Sequence, residues 1–176
     1  MLAARPGAVI LPAMGERPAA GVITTALSAV IHAPRSKVWR ALTTPAELIR
    51  WDKAILALLE PADDFPAVGG EARWRYQLGS VPVEMRDRPL EVVTGRKLRS
   101  AVALGLFHFE QSWTLADESD ATRLGVHLAA GNSIAVVGGV VDRFDVRRLA
   151  AEYVDAKLRC LRRWCEAPST SVPLAR

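Results

Sequence analysis

The chain has 176 residues, which suits one domain, since single domains usually hold about 100–200 residues. Apolar side chains make up 50% of it and charged side chains 24%, a mixture typical of a folded protein rather than a disordered one. The net charge is +4 and the charges are interspersed, which excludes a dedicated polyelectrolyte binder. Two cysteines are too few for a disulfide framework, and no apolar run approaches the ~18 residues of a membrane span.

The two ends of the chain have the composition of loops. Residues 1–21 are rich in proline and glycine without a helical or strand period, which predicts a flexible leader, and residues 167–176 predict a tail. Residues 22–166 are the predicted domain. The apolar run that starts at Ala8 resembles a secretory signal only weakly, because Pro12 interrupts it, so we expect a cytoplasmic protein with reduced thiols.

The domain is predicted to begin with one strand and two short helices. Val22–His32 is β-branched and aliphatic, as strands are. Pro34 suits a first helical turn, and residues 38–42 repeat apolar side chains at helical spacing. Thr44 followed by Pro45 is typical of an N-cap and the first position of a second helix.

Six strand-like segments and one long helix follow. The helix is predicted to start between residues 132 and 142 and to end near Cys165, and strands with one amphipathic helix indicate an α+β domain in which the helix covers one face of a curved sheet. The apolar stripe of that helix is formed by Leu149, Tyr153, Ala156, Cys160 and Trp164. The strand segments are Ala54–Leu59, Glu71–Leu78, Val81–Val93, Leu98–Phe107, Phe107–Leu115 and Thr122–Leu128.

The residues from Ser28 to Trp51 carry a recognisable pattern. An apolar strand is followed by Ala33-Pro34, a Val-Trp pair, a Leu-Thr pair, Pro45 and a tryptophan that closes the second helix. This pattern resembles the opening of START-like, polyketide cyclase/dehydrase-type proteins of the SRPBCC superfamily. Further matching segments are Gly69-Gly70, Glu91–Arg96, Trp113–Leu115 and Thr122–Leu124, so the resemblance covers about Val22 to Glu166.

The resemblance implies a helix-grip fold, in which a curved antiparallel sheet wraps around a long C-terminal helix and two short helices follow the first strand. Members of the superfamily include lipid carriers, polyketide cyclases, ubiquinone-binding proteins and chaperone regulators. A fold shared by such different proteins does not decide the function, which has to be argued from the site.

Alternation along the strands predicts which side chains face the interior. Burying two unpaired arginines would cost several kcal/mol, so Trp74 and Tyr76 face inward and Arg73 and Arg75 outward. The same argument turns His108 outward. It predicts as inward-facing Ala72, Leu78, Val81, Val83, Met85, Phe107, Phe109, Gln111, Trp113, Leu115, Leu124, Val126 and Leu128.

The predicted interior is aliphatic and aromatic with few polar side chains, as in pockets for a hydrophobic ligand. Proteins of the resembling superfamily usually keep a cavity there. The alternative is that the inward side chains simply fill the core. The candidate ligand-binding residues are Trp51, Trp74, Tyr76, Met85, Phe109, Gln111, Trp113, Val126, Phe144 and Tyr153.

No catalytic motif accompanies this interior. His32 ends a strand, His108 and His127 fall on the predicted outer face, and Cys160 and Cys165 lack metal-ligand spacing. We therefore expect no metal site and no organic cofactor. The catalytic residues are unknown, and the candidates are the polar interior side chains Tyr76, Gln111 and Tyr153.

Two function classes remain open. A polyketide cyclase or dehydratase would fold a reactive polyketone in a shaped cavity, with modest help from polar groups. A non-catalytic carrier or sensor would hold a lipid, an isoprenoid or a polyketide. A chaperone-type regulator would need an exposed apolar patch, of which the sequence shows no sign. We expect a small hydrophobic molecule as partner and no nucleic acid, and an exposed edge strand could support a homodimer.

Overall fold

The structure is a computed structural model that describes residues 23–105, 107–130 and 143–168, without the side chains of residues 143–147 and 149. Strand β1 (Ile23–Ile31) leads into helices α1 (Arg35–Thr43) and α2 (Pro45–Trp51). The remaining elements are β2 (Ile55–Leu58), β3 (Ala72–Leu78), β4 (Val81–Val93), β5 (Lys97–Leu104), β6 (Phe107–Glu118), β7 (Ala121–Ala130) and α3 (Arg143–Glu166).

The seven strands form one antiparallel sheet in the order β1-β7-β6-β5-β4-β3-β2. Strands β2 to β7 are a meander, and β1 joins it by pairing with β7. Among the described strands, β1 and β2 are therefore the two edges. The curved sheet, the two short helices after β1 and the long C-terminal helix together make the helix-grip fold, as the resemblance implied.

The two short helices are held to each other by a buried tryptophan. Thr44 occupies the N-cap position of α2 and Pro45 its first turn, as predicted, although the threonine hydroxyl makes no capping hydrogen bond. The indole Nε1 of Trp51 donates to the carbonyl oxygen of Ala41 at 2.8 Å. This bond fixes the end of α2 against α1, and Asp52 follows Trp51 into the interior.

Two apolar clusters fill the space between the sheet and the helices. One surrounds Leu124 and Leu161, and the other surrounds Trp74 and Met85. The ring of Tyr153 packs against both clusters. The boundary between the two clusters is where a cavity lies.

Alternation predicts most of the interior correctly and fails near strand ends. Trp74, Trp113 and Leu124 are buried as predicted. Val81 and Phe107, also predicted to face inward, have exposed fractions of 57% and 38%, because each is the first residue of its strand and lies beside a turn. Ala156, placed in the apolar stripe of α3, is exposed as well.

Some predictions fall on parts of the chain that the structure does not describe. The predicted leader, residues 1–21, lies outside the described residues, as do residues 169–176 of the predicted tail. The predicted start of the long helix, between residues 132 and 142, lies there too. Of the helices in the described ranges, none combines the length and hydrophobicity that crossing a membrane would require.

Candidate ligand-binding site

A cavity of about 30 Å³ lies between the sheet and α3. One water molecule needs about 10–15 Å³ on this scale, so the space as it stands has room for about two or three waters. Three tryptophans, Met85 and five aliphatic side chains form its apolar wall. Its polar wall consists of Asp87, Gln111, Tyr153 and Lys157.

The structure brings six of the predicted ligand-binding residues to this cavity. They are contributed by α2, β3, β4, β6 and α3, which are far apart in the sequence. Their shared position is consistent with the predicted pocket, and their role toward a ligand stays a prediction. The six are Trp51, Trp74, Met85, Gln111, Trp113 and Tyr153.

The other four predicted residues do not form the described cavity wall. Tyr76 is buried behind it, with its ring centroid 6.4 Å from that of Tyr153. Phe109 is half-buried and its ring lies 6.1 Å from that of Tyr153. Val126 is buried within the cluster around Leu124. The side chain of Phe144 lies outside the described residues.

A buried ion pair stands at the polar end of the cavity. The Lys157 ammonium lies 2.6 Å from Oδ2 of Asp52, and the side chains are 10% and 6% exposed. Oδ1 of Asp52 accepts a hydrogen bond from the backbone N–H of Ala54 at 3.1 Å. The ammonium also lies 5.3 Å and 5.0 Å from the ring centroids of Tyr76 and Tyr153, which is within cation–π range.

This pairing keeps the lysine charged despite its burial. Burial is the largest single effect and lowers the pKa of Lys157, but the charge and hydrogen bond of Asp52 together with the two tyrosine hydroxyls hold the pKa well above its ordinary value. Burial also raises the pKa of the Tyr76 and Tyr153 hydroxyls, against the opposing charge of Lys157. Both phenols are therefore neutral hydrogen-bond donors at physiological pH.

Asp87 is a second buried carboxylate in the cavity wall, and it forms no ion pair with any residue that the structure describes. It is 9% exposed and lies on the inward face of β4. Within the described part of the chain, neither its Oδ1 nor the buried Oγ of Ser100 on β5 has a hydrogen-bond partner. Burial raises the pKa of Asp87 to about 6, against the opposing effects of the nearby Ser100 hydroxyl and the Lys157 charge.

Asp52, Asp87 and Lys157 are absent from the residues predicted from the sequence, although two of them carry a signal. Asp87 follows Met85 by two residues, so strict alternation along β4 places it inside. Lys157 follows Tyr153 by four residues, which puts both on one face of α3. Because charged side chains are usually exposed, neither Asp87 nor Lys157 is predicted to face the interior.

The buried polar side chains at and beside the cavity form a polar cluster that offers hydrogen-bond donors, an acceptor and groups that exchange protons. Its members are Asp52, Tyr76, Asp87, Gln111, Tyr153 and Lys157. The Asp52–Lys157 pair is neutral as a unit, so an ionised Asp87 leaves the cluster with one net negative charge. No group of three or more histidine, cysteine, aspartate or glutamate side chains suited to a metal ion occurs in the ranges that the structure describes.

Residues 22–166 match the family of polyketide cyclases, dehydrases and lipid transport proteins. Because the match spans most of the chain, the chain belongs to this family, and the resemblance seen in the sequence is confirmed. No curated protein sequence matches the chain.

Several solved structures share the fold. TTHA0849 from Thermus thermophilus is 22% identical with a TM-score of 0.65, and the alignment covers 84% of this chain and 100% of that one. A START superfamily protein from Mycobacterium smegmatis is 15% identical with a TM-score of 0.65, covering 81% and 97%. DynU16, from the dynemicin biosynthetic locus, is 20% identical with a TM-score of 0.59, covering 82% and 47%. Because these sequence identities are all below 25%, the similarity shows only that the fold is shared.

Proposed function

We propose that the chain binds a small hydrophobic molecule of polyketide, lipid or isoprenoid type in the cavity between the sheet and α3. The observation that carries this proposal is a cluster of buried polar groups set in an otherwise aromatic and aliphatic wall. Such a wall suits the body of an apolar ligand, and a few polar groups fix its orientation. Family membership supports the same reading.

The buried polar side chains of the cluster are not required for a stable core, since apolar side chains would serve there as well. Replacing a buried ion pair by apolar side chains is often neutral or stabilising, so Asp52 and Lys157 contribute little that leucines would not. Titratable groups with perturbed pKa values in a cavity are typical of functional sites. Asp87, whose buried Oδ1 has no hydrogen-bond partner among the described residues, adds a cost that a bound molecule would offset.

A ligand must enlarge the cavity in order to bind. Pockets for drug-sized ligands hold about 300–1,000 Å³, whereas this space holds about 30 Å³. Met85 lies in its wall, and an unbranched thioether side chain changes shape at low cost. We therefore expect binding to be coupled to movement of wall side chains.

The test is binding of the neutral fluorescent probe N-phenyl-1-naphthylamine, whose emission rises in apolar surroundings. We expect saturable binding to the native chain. In the variant Met85→Trp the larger ring fills the cavity and occupies the space that the probe needs, so the affinity should fall about tenfold or more. Val81→Trp is the matched control, since Val81 lies on the same strand and is 57% exposed.

Equal affinity in the native chain and both variants would place the probe on the surface and contradict the proposal. Circular dichroism and urea unfolding of Met85→Trp separate lost binding from lost folding. A variant that is still folded, unfolds in one cooperative transition and nevertheless loses the probe supports a site inside the domain.

A second candidate function is catalysis of polyketone cyclisation or dehydration, and the acid–base groups of the cluster favour it. In such a reaction the Tyr153 hydroxyl would donate a hydrogen bond to the developing enolate oxygen, while Gln111 would orient a carbonyl group. Incubation with a reactive polyketone is the test. A product distribution identical to that in buffer alone would contradict catalysis and leave the binding function in place.

A further inference from the structure

We propose that the polar end of the ligand is a hydrogen-bond donor, a hydroxyl or ammonium group, and that the carboxylate of Asp87 binds it. This inference rests on the proposed function, because it concerns the orientation of a molecule inside the same cavity. It assigns to Asp87 a role as the acceptor that distinguishes ligands with a donor from ligands that only accept hydrogen bonds.

The Asp87 side chain has a buried carboxylate oxygen that a hydrogen-bond donor would stabilise. Asp87 is only 9% exposed, it lies in the cavity wall, and its Oδ1 has no hydrogen-bond partner among the residues that the structure describes. A buried carboxylate oxygen without a partner loses its hydration and receives nothing in return. A donor placed in the cavity restores the lost interaction, and a charge-assisted hydrogen bond of this kind is among the strong ones.

The charged and polar groups near Asp87 decide which kind of ligand the site attracts. Lys157 and Tyr153 line the cavity from α3. Tyr76 on β3 and Asp52 at the end of α2 do not line it, but both lie against Lys157. The lysine charge is already matched by Asp52 at 2.6 Å, so it is not free to neutralise an anionic ligand. The other polar neighbours, Ser100 of β5 and Gln111 of β6, carry no charge.

Together these groups reject a carboxylate and favour a donor. Three charges lie in the cavity wall or directly against it, two negative and one positive, so the site has a net negative charge whenever Asp87 is ionised. An anionic ligand would be repelled at low local dielectric, whereas a hydroxyl or an ammonium group would be attracted. The tryptophan and tyrosine rings around the site add cation–π attraction in the ammonium case.

The titration of Asp87 makes the preference depend on pH. Burial raises the pKa of Asp87 to about 6, so the carboxylate is ionised at neutral pH and protonated in mild acid. A protonated carboxyl group donates a hydrogen bond itself and so accepts carbonyl ligands. The preference for donors should therefore be present above about pH 6 and disappear below it.

The experiment compares octan-1-ol, octan-2-one, octylamine and octanoate as competitors for bound N-phenyl-1-naphthylamine. The four molecules share an eight-carbon chain and differ in the polar group. We expect octan-1-ol and octylamine to displace the probe at concentrations about tenfold lower than octan-2-one, because a hydrogen bond to a charged group is worth about that much. Octanoate should be the weakest competitor. If octan-1-ol displaces the probe at a lower concentration than octylamine, the site favours a hydroxyl group, and the reverse order indicates that it favours an ammonium group.

The variant Asp87→Asn keeps the shape of the side chain and gives it a donor of its own. In this variant the alcohol-to-ketone ratio should fall from about tenfold to near unity, and the advantage of the amine should vanish. The control variant Asp63→Asn removes an exposed carboxylate and should keep the native order. Asp63→Asn should also lose the preference below about pH 6, as the native chain does, because it retains Asp87.

The possible outcomes separate the two proposals. Probe binding without a preference among the four competitors, or with a preference for the ketone or octanoate, overturns the role of Asp87 and leaves the cavity function standing. Equal alcohol and ketone binding would assign the Asp87 oxygen to a buried water instead. Failure of the probe and all four competitors to bind overturns both proposals.

Discussion

At the scale of single residues, the buried ion pair of Asp52 and Lys157 is sensitive to the loss of either partner. Both groups are removed from water, and each is tolerated because the other lies 2.6 Å away. Removing one partner leaves the other as an isolated buried charge, which is far more costly than losing a surface pair.

The variant Lys157→Met should lower the free energy of unfolding by about 3–5 kcal/mol, because it strands the Asp52 carboxylate. Urea denaturation measures this loss. Arg159→Met is the control on the same helix, since Arg159 pairs with Asp155 on the surface, and it should cost less than about 1 kcal/mol. The double variant Asp52→Asn with Lys157→Met should recover part of the loss. Equal costs for the two single variants would refute the buried pair.

Asp87 gives a stability effect of the opposite kind, with a defined dependence on pH. Its pKa is raised from 3.8 to about 6, so the folded chain holds a proton that the unfolded chain has already released. Stability is therefore lost as the pH rises from about 3.8 to 6, and it stays lost at neutral pH. The size of the effect is about 3 kcal/mol at full ionisation.

We expect Asp87→Asn to be more stable than the native chain at neutral pH, by up to about 3 kcal/mol, and the advantage to shrink toward pH 4. Urea unfolding at a series of pH values measures it. The exposed Asp63→Asn should show no comparable trend. An advantage that is the same at every pH would mean that Asp87 does not titrate with a raised pKa.

At the residue scale, the apolar wall of the cavity could be predicted from the sequence and its polar wall could not. The positions of Trp74, Trp113 and Tyr153 follow from alternation and helical spacing, so the apolar wall could be predicted. The polar wall was missed because sequence patterns treat aspartate and lysine as surface residues. Asp52 and Lys157 are 105 residues apart, and only the folded chain shows that each has a partner.

At the scale of the elements, a single buried hydroxyl joins the start of β7 to the connection between β1 and α1. Oγ1 of Thr122 donates to the carbonyl oxygen of Ala33 at 2.8 Å, and Thr122 is fully buried. Since Ala33 lies at the bend where the chain leaves the sheet, this bond holds α1 in position over β7.

Thr122→Val keeps the shape of the side chain and removes the donor, so the buried carbonyl of Ala33 loses its partner. We expect a loss of about 1–3 kcal/mol in the free energy of unfolding. Thr114→Val on the adjacent strand is the matched control, because Thr114 is exposed and its hydroxyl makes only a long contact of 3.5 Å with Gly125. That control should stay within about 0.5 kcal/mol. Similar effects from both substitutions would show that the Thr122 bond contributes nothing.

The order of the elements was predictable and one local irregularity was not. Turn residues such as Gly79 and Gly105, both at positive φ, mark the ends of strands in the sequence as well as in the structure. The bulge between Pro89 and Glu91 shifts the register, so that Val92, paired with Leu98, faces inward in place of Glu91. An alternating pattern carries no signal for the position of such a shift.

At the scale of the whole molecule, the fold and the family follow from the resemblance in the first helices, whereas the size of the cavity does not. The resemblance implied a helix-grip domain, and the sheet order and the family match confirm it. A cavity of about 30 Å³ is the space left over by thirteen wall residues from both layers. Small shifts of these side chains change it severalfold, so composition alone cannot predict its volume.

The most direct test of the binding function is to follow the tryptophan indole N–H resonances by NMR during titration with octan-1-ol. Trp51, Trp74 and Trp113 line the cavity, while Trp39 and Trp164 pack outside it. A ligand that enters the cavity should shift the three wall signals and leave the other two nearly unchanged. Shifts of Trp39 and Trp164 alone, or no shift of any tryptophan at saturating alcohol, would contradict a ligand site between the sheet and the helix.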